Sequence, residues 1–314
     1  MIGYILRRLV QAVIVVFIVS IIVFLLLHML PGGEARAMLG PKATPDQIAN
    51  FNRENGLDQP LYVQYVRTLG QWLTGNLGFS IPLNQSVGSA IAERLPKTII
   101  LNLFALLLTV IVAVPIGILQ AVRRNKPFDY VVTGLSFIFY ATPTFFLAIV
   151  MIEFFSQNLG WFPPEAPQSN GVLPIFEQFD AMILPIVTLA LLSIAGFSRY
   201  MRSSVLDNIN QDYVRTAYAK GATSSRVLWR HVTRNAMIPI ITLLGLSLPA
   251  LFAGALITES VFNFPGMGLL FWQAAQRNDF ATELGVVLVT AVATVLGNLL
   301  ADIGLAVIDP RVKL

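Results

Sequence analysis

Six long runs without Asp, Glu, Lys or Arg are the feature that most limits how this chain of 314 residues can fold. Each run has 18 to 25 residues, and a helix of about 20 residues crosses a hydrocarbon core about 30 Å thick. Because lipid offers no partners to backbone N–H and C=O groups, a single segment can cross it only as a helix. The predicted spans are Leu9–Leu30, Thr98–Val122, Tyr130–Ile152, Ala181–Ser198, Asn235–Thr258 and Leu284–Ala301, the last extendable to about Ile308.

The composition agrees with an integral membrane protein. Only 12% of the residues are charged and 55% are hydrophobic, with a mean hydropathy of +0.70, whereas soluble chains carry about 25% charged residues. The absence of cysteine excludes disulfides, Fe–S clusters and thiolate metal sites. The two histidines, His28 and His231, cannot form a multi-histidine site. No metal is therefore expected.

The distribution of basic residues predicts the orientation of the spans. Six spans place both termini on one side, and the segments of that side hold 14 Lys and Arg residues against 7 on the other. The positive-inside rule therefore predicts that both termini are cytoplasmic. The first run has 22 residues, longer than the about 7–15 apolar residues of a signal peptide, so we expect it to be a retained helix.

Two external segments have distinct patterns. In residues 31–97, Thr44 and Gln47 form a predicted capping box that starts a helix ending at Gly56. A second, amphipathic helix begins after Pro60, and it is expected to lie on the membrane or the bundle, or alternatively to dock a receptor. The other external loop, 156–180, is rich in proline and favours irregular structure.

The sequence of the cytoplasmic segment 199–234 predicts two short helices joined by a glycine turn, an arrangement that we call the elbow. Asn210 is expected to cap a short helix that reaches about Lys220, and Gly221 to end it in the left-handed conformation. Thr223 would then cap a second helix that runs through Trp229 towards the membrane. Such a protruding elbow is suited to docking a partner, although a basic cytoplasmic segment is also what the positive-inside rule alone demands.

At these residues the chain resembles the permease subunits of ATP-binding-cassette importers. Arg215-Thr216-Ala217 and Gly221 occupy the positions of the family's Glu-Ala-Ala, three residues, Gly signature. The resemblance is closest to the dipeptide and oligopeptide branch. Further matches are Tyr4-Ile5-Leu6-Arg7-Arg8-Leu9, Gly56-Leu57-Asp58-Gln59-Pro60, Asn76-Leu77-Gly78-Phe79-Ser80, Val261-Phe262-Asn263-Phe264-Pro265-Gly266-Met267-Gly268 and Asp309-Pro310-Arg311. The signature continues with nine residues and then Ile-x-Leu-Pro. Two positions depart from it, because Arg215 replaces the glutamate and Arg234 replaces the proline.

The resemblance implies an all-α membrane protein with six transmembrane helices and type I importer permease architecture. Its predicted regions are 1–30 (N-terminal segment and first span), 31–97 (external segment), 98–308 (five-span permease core, with the coupling loop 199–234) and 309–314 (cytoplasmic C-terminus). The protein would lie in a prokaryotic plasma membrane, in contact with lipid. Its implied partners are a second homologous, non-identical permease subunit, two ATP-binding subunits and an extracytoplasmic substrate-binding protein, with no nucleic acid.

The same resemblance identifies the elbow as the coupling helix that enters a cleft of the ATPase subunit. Tyr213 and Ala217 are expected to fill the cleft, while Arg215 and Lys220 pair with acidic residues at its rim. The predicted ATPase-coupling residues are Asp212, Tyr213, Val214, Arg215, Thr216, Ala217, Lys220, Gly221 and Ala222.

Catalytic motifs are absent from the sequence. No lysine follows a glycine, so the chain has no Gly-Lys-Ser/Thr phosphate loop. It also has no H-E-x-x-H zinc motif and no G-x-S-x-G nucleophile elbow. The chain is therefore predicted to be a non-catalytic subunit without a cofactor, with ATP and Mg²⁺ on the partner subunits.

Three polar residues are candidates for the substrate pathway. Glu259 follows the fifth run and could face water near an outer gate, or could pair with a basic group that joins two helices. Asn102 and Asn298 are weaker candidates, because such groups more often stabilise helix packing. Pro115, Pro143, Pro185 and Pro249 are expected to kink helices.

The predicted function is a permease subunit of an ATP-driven importer of di- or oligopeptides. One alternative is a permease of the same family for another solute, such as a nickel chelate or glutathione. Another is a self-contained secondary transporter, which would show inverted repeats and ion ligands at the middle of the membrane. The chain has no convincing internal repeat, and its runs are almost free of charge in the middle.

Overall fold

The computed structural model describes residues 2–29, 35–36, 39–40, 42–168 and 171–308. The predicted C-terminal segment 309–314 and parts of both external segments lie outside these residues. The described chain is a helical bundle, and its only two strands, β1 (Phe79–Ser80) and β2 (Gln85–Ser86), form an antiparallel hairpin.

The described helices are α1 (Ile2–His28), α2 (Pro45–Asn55), α3 (Leu61–Leu73), α4 (Val87–Val122), α5 (Pro127–Ala141), α6 (Thr144–Met151), α7 (Leu173–Glu177), α8 (Asp180–Ile209), α9 (Asp212–Ala219), α10 (Ser224–Arg226), α11 (Thr233–Ser247), α12 (Ala250–Ala253), α13 (Leu256–Val261), α14 (Met267–Gln276) and α15 (Phe280–Ile308). The π-helices Ile152–Asn158 and Val227–Val232 continue α6 and α10.

Five segments of the described chain are long and apolar enough to cross a membrane as continuous helices. They are Leu6–Leu26, Val87–Val122, Asp180–Ile209, Ser224–Ala253 and Phe280–Gly304. The first, second, fourth and sixth predicted spans are confirmed as long apolar helices, and α15 reaches Ile308 as expected.

The third predicted span, Tyr130–Ile152, is not one straight helix. Its two halves, Pro127–Ala141 and Thr144–Asn158, are bent by 108° at a short break. Thr142 has an extended backbone (ψ 125°), since a residue that precedes proline is disfavoured in the helical region, and Pro143 has no N–H to donate. The expected kink at Pro143 is therefore confirmed, and the third span is a bent pair of helices and not one straight helix.

The fifth predicted span, Asn235–Thr258, has different ends in the structure. The continuous helical segment begins earlier, at Ser224, and ends at Ala253. Gly254 then adopts φ +78°, where a Cβ atom would lie 2.9 Å from the Gly268 backbone nitrogen. This close approach explains why glycine ends the helix there. Thr258 belongs to the separate short helix α13.

Helices α4 and α8 form the centre of the bundle and run side by side in the same direction. Leu101 of α4 packs in one cluster with Met182 of α8, and further along the same helices Ile118 packs with Met201. Gly117 makes this packing close, because a Cβ atom there would lie 2.7 Å from the Ser198 carbonyl oxygen.

The external segment packs against α1. The predicted capping box is confirmed, because Thr44 and Gln47 exchange both hydrogen bonds, and Gly56 ends α2 with φ +67°. In α3, the Tyr65 hydroxyl lies 2.8 Å from Ser20 Oγ of α1, and the Tyr65 ring contacts Phe24 edge-on. These contacts agree with the expectation that the amphipathic helix lies on the bundle.

Candidate functional site

The elbow follows a continuous extension of α8 beyond the apolar run. This helix continues about eleven residues beyond the uncharged run, to Ile209, and α9 follows after a two-residue turn. Asn210 ends α8 and donates its side-chain N–H to the Leu206 carbonyl at 3.2 Å. The expectation that Asn210 caps the next helix is therefore wrong. Gln211 occupies that position, without a side-chain capping bond.

Gly221 ends α9 as predicted. It adopts φ +80°, its N–H donates to the Tyr218 carbonyl at 2.9 Å, and the Ala222 N–H donates to the Ala217 carbonyl at 3.1 Å. This is the hydrogen-bond pattern of a left-handed C-terminal turn. Thr223 begins the next helix through its carbonyl, but its side chain makes no capping bond.

The inner face of α9 attaches the elbow to the bundle. Val214 and Ala217 are buried in a cluster with Met201, Val205 and Val227. Tyr213 is half-buried, and its hydroxyl donates to Asn208 Oδ1 at 2.7 Å. Ala217 therefore faces its own chain and not a partner's cleft, contrary to the expectation for this residue.

The outer face of α9 is polar with one aromatic ring. Arg215, Thr216 and Lys220 are exposed, and Arg215 lies 3.7 Å from Asp212 in a solvent-exposed pair. Ala222 is half-buried at the base of the turn. Tyr218 is 49% exposed and was not among the predicted coupling residues. Its position three residues after Arg215 is the sequence signal that places both on one face.

An ion pair between the buried Asp129 and the half-buried Arg202, not found from the sequence, fixes α8 just before the elbow. Arg202 of α8 donates through Nε and Nη2 to the two carboxylate oxygens of Asp129, at 2.8 and 2.7 Å. The Asn125 N–H also donates to Asp129, at 3.0 Å. Paired hydrogen bonds of this kind fix both distance and orientation, so they hold the first turn of α5 against α8. The signal in the sequence is a single acid, Asp129, that follows three basic residues.

Glu259 is enclosed by protein, and the expectation that it faces a hydrated pathway is wrong for this conformation. The residue is 0% exposed, and no basic side chain pairs with it among the described salt bridges. Its Oε1 accepts from Thr98 Oγ1 at 3.0 Å and the Ala255 N–H at 3.1 Å, and its Oε2 accepts from the N–H groups of Gly268 at 2.6 Å and Leu269 at 3.0 Å.

These bonds make Glu259 and Thr98 the N-terminal cap of α14. Thr98 Oγ1 accepts from the Met267 N–H at 2.8 Å, so side chains satisfy the first three N–H groups of the helix. A Cβ atom on Gly266 would lie 2.5 Å from Glu259 Oε2, which explains the glycine of this loop. Burial raises the pKa of the Glu259 carboxyl, and the donated hydrogen bonds act in the opposite direction. We refer to this arrangement as the Glu259 latch.

The other two pathway candidates lie elsewhere. Asn102 is half-buried, donates to the Leu251 carbonyl at 3.3 Å, and lines a cavity of about 160 Å³ with Ser193 and Ser247. Asn298 is exposed and lies in a groove between α15 and α1. The structure therefore does not bring Glu259, Asn102 and Asn298 together in one site. Among the described residues, no three His, Asp or Glu side chains are arranged to hold a metal.

Comparisons with known proteins cover almost the whole chain. Residues 113–314 match the family described as binding-protein-dependent transport system inner membrane component, and residues 1–102 match the N-terminal family of such membrane components.

Among full-length relatives, the oligopeptide transport system permease protein AppB of Bacillus subtilis (strain 168) is 38% identical over 315 residues, which cover 100% of both chains. A putative peptide permease protein of Brucella suis biovar 1 is 38% identical over 100% of this chain and 99% of its own. A probable peptide ABC transporter permease protein of Sinorhizobium fredii is 38% identical over 99% of each.

These matches agree with the apolar helices and the six-span pattern. A permease of this kind works in a complex with other subunits. The chain belongs to the family of binding-protein-dependent transport system inner membrane components, the multi-pass plasma-membrane permeases of ATP-binding-cassette importers, with type I architecture.

Proposed function

We propose that this chain forms half of the translocation pathway of an ATP-driven importer of di- or oligopeptides. The observation that carries the proposal is full-length similarity, at 38% identity, to a protein named as an oligopeptide permease. The elbow supports it, because an exposed pair of helices joined by a turn suits contact with an ATP-binding subunit, which a self-contained secondary transporter does not need. Nothing in the comparisons favours that alternative or a nickel-chelate or glutathione permease.

The proposed complex contains this chain, a second homologous permease subunit, two ATP-binding subunits that hold ATP and Mg²⁺, and an extracytoplasmic substrate-binding protein. The exposed face of α9 supports contact with an ATP-binding subunit. The Tyr218 ring supplies apolar area to enter a cleft, and Arg215 and Lys220 supply cations for acids at its rim. The chain itself carries no cofactor in this proposal.

Reconstitution tests the proposed activity. We expect proteoliposomes that contain the complete complex, with ATP on the ATPase side and the binding protein on the other, to accumulate labelled di- to pentapeptides. Nickel chelates and glutathione, offered as alternative solutes, should not accumulate. Peptide uptake by this chain alone, driven by a proton or sodium gradient, would contradict the proposal.

Cysteine labelling tests the proposed orientation. The chain has no native cysteine, so single introduced cysteines report their own side of the membrane. With cytoplasmic termini, Gln178→Cys is expected to react with an impermeant maleimide in intact cells, and Ser224→Cys only after permeabilisation. Both positions are exposed. Labelling of Ser224→Cys in intact cells would contradict this orientation and indicate the opposite one.

Gly221→Val is expected to uncouple transport from ATP hydrolysis. A β-branched residue resists φ +80°, and strain of about 1–3 kcal/mol redirects the second arm of the elbow. We expect peptide uptake by the assembled complex to fall at least about tenfold. The matched control is Ala219→Val, an exposed position in the same turn with ordinary backbone geometry. Equal uptake by the two variants would show that the turn does not carry coupling.

A further inference from the structure

A groove of about 500 Å³ opens between α1 and α15 at the end that holds the chain termini. Arg8 Nη1 of α1 and Asp302 Oδ2 of α15 form an ion pair at 3.1 Å. Gln11 and Asn298 line the groove further in, together with apolar residues that include Ala12 and Val295. The lining therefore changes along the groove from charged to amide to apolar.

This order of side chains matches the order in which polarity falls with depth in one membrane leaflet. With a rise of 1.5 Å per helical residue, Gln11 lies about 4.5 Å below Arg8, and Asn298 lies about 6 Å below Asp302. Val295 lies about 10 Å below Asp302 by the same measure. In a phospholipid, the phosphate, the ester carbonyls and the acyl chains follow one another in this order from the surface.

The Gln11 and Asn298 amides have no hydrogen-bond partner among the residues that the structure describes. Both side chains are exposed and line the groove. Amides placed in the hydrocarbon boundary require a hydrogen-bond partner, because an unsatisfied polar group there is costly. A ligand with acceptor groups at this depth would satisfy them.

We propose that the groove binds a single glycerophospholipid of the leaflet on the side of the termini. The Arg8 guanidinium keeps its contact with Asp302 and supplies a positive charge beside the lipid phosphate. The Gln11 and Asn298 amides donate to the ester carbonyl oxygens, and one acyl chain lies on Ala12 and Val295. The lipid thereby bridges α1 and α15 near their ends.

Filling the groove tests the proposal. Ala12→Trp places a large ring in the groove, and the matched control Val13→Trp places the same ring on the neighbouring, 60% exposed position of α1. The assembled transporter is delipidated in detergent and titrated with phosphatidylethanolamine or phosphatidylglycerol, and bound lipid is counted by native mass spectrometry. We expect wild type and Val13→Trp to retain one lipid of at least one headgroup type, and Ala12→Trp to bind about tenfold more weakly.

A second variant separates lipid binding from a folding defect. Asn298→Leu keeps the branched shape of the side chain but removes the amide, and it is expected to weaken lipid binding about tenfold through the loss of hydrogen bonding. The complex should remain intact by size-exclusion chromatography. Undiminished binding by both Ala12→Trp and Asn298→Leu would overturn the proposal. A photoreactive residue at position 12 should capture phospholipid in membranes. Its exclusive capture of a neighbouring protein subunit would also overturn it.

Discussion

Glu259→Leu is expected to prevent stable folding of the chain, and not merely to slow transport. The substitution leaves the buried N–H groups of Gly268 and Leu269 and the half-buried N–H group of Ala255 without an acceptor. Each unpaired group costs about 1–3 kcal/mol. The sum is comparable with the total stability of about 5–15 kcal/mol of an ordinary domain. The expected result is therefore loss of folded protein from the membrane fraction.

The measurement is the yield and thermal unfolding midpoint of the detergent-solubilised complex. Glu259→Gln is expected to be intermediate, because its amide oxygen still accepts while its NH₂ group faces backbone donors. Glu153→Leu is the matched control, since that carboxylate is exposed at the end of the bent span. A folded Glu259→Leu complex with the wild-type midpoint would show that the latch is dispensable.

Gly117→Val is expected to separate the two central helices. A Cβ atom at this position already lies 2.6 Å from Met201 Cβ and 2.7 Å from the Ser198 carbonyl oxygen, and valine adds two methyl groups to it. Backbone and a buried side chain surround the site, so α4 and α8 must move apart. Overpacking of a core costs about 1–3 kcal/mol, occasionally more, and here it disturbs the cluster that also holds Val214 of the elbow.

Gly196→Val on α8 is the matched control, because no described atom outside its own helical turn lies within 4 Å of its Cβ position. Limited proteolysis of the elbow and the thermal midpoint of the complex report the outcome. We expect Gly117→Val to lower the midpoint and expose the elbow to protease, and Gly196→Val to leave both unchanged. Equal behaviour of the two variants would contradict close packing of α4 and α8 at Gly117.

The sequence alone was sufficient to predict features formed by residues that are close together along the chain. The apolar runs predict long helices because each carries enough hydrophobic length by itself. The Thr44 capping box and the Gly221 turn were also predictable, because their hydrogen bonds join residues at most five positions apart. In each case the residues that make the structure are adjacent along the chain.

The effect of the prolines shows where such local reasoning ends. Pro115 and Pro185 lie inside the continuous helices α4 and α8, whereas Pro143 accompanies a bend of 108°. All three occur in similar apolar runs. Whether a proline breaks a helix depends on whether neighbouring helices provide partners for the backbone groups that it leaves unpaired. The sequence of the apolar run does not contain this information.

The tertiary structure alone decided which polar groups meet. Glu259 follows an apolar run, so from the sequence it could contact either water or a partner group. In the structure its partner is Thr98, which lies 161 residues away along the chain. Asp129 and Arg202, which pair with each other, are 73 residues apart. In α9, Ala217 is buried against the bundle whereas Tyr218 is exposed. Contacts between distant residues depend on how the helices pack, because sequence periodicity defines the faces of a helix but not the neighbours that cover them.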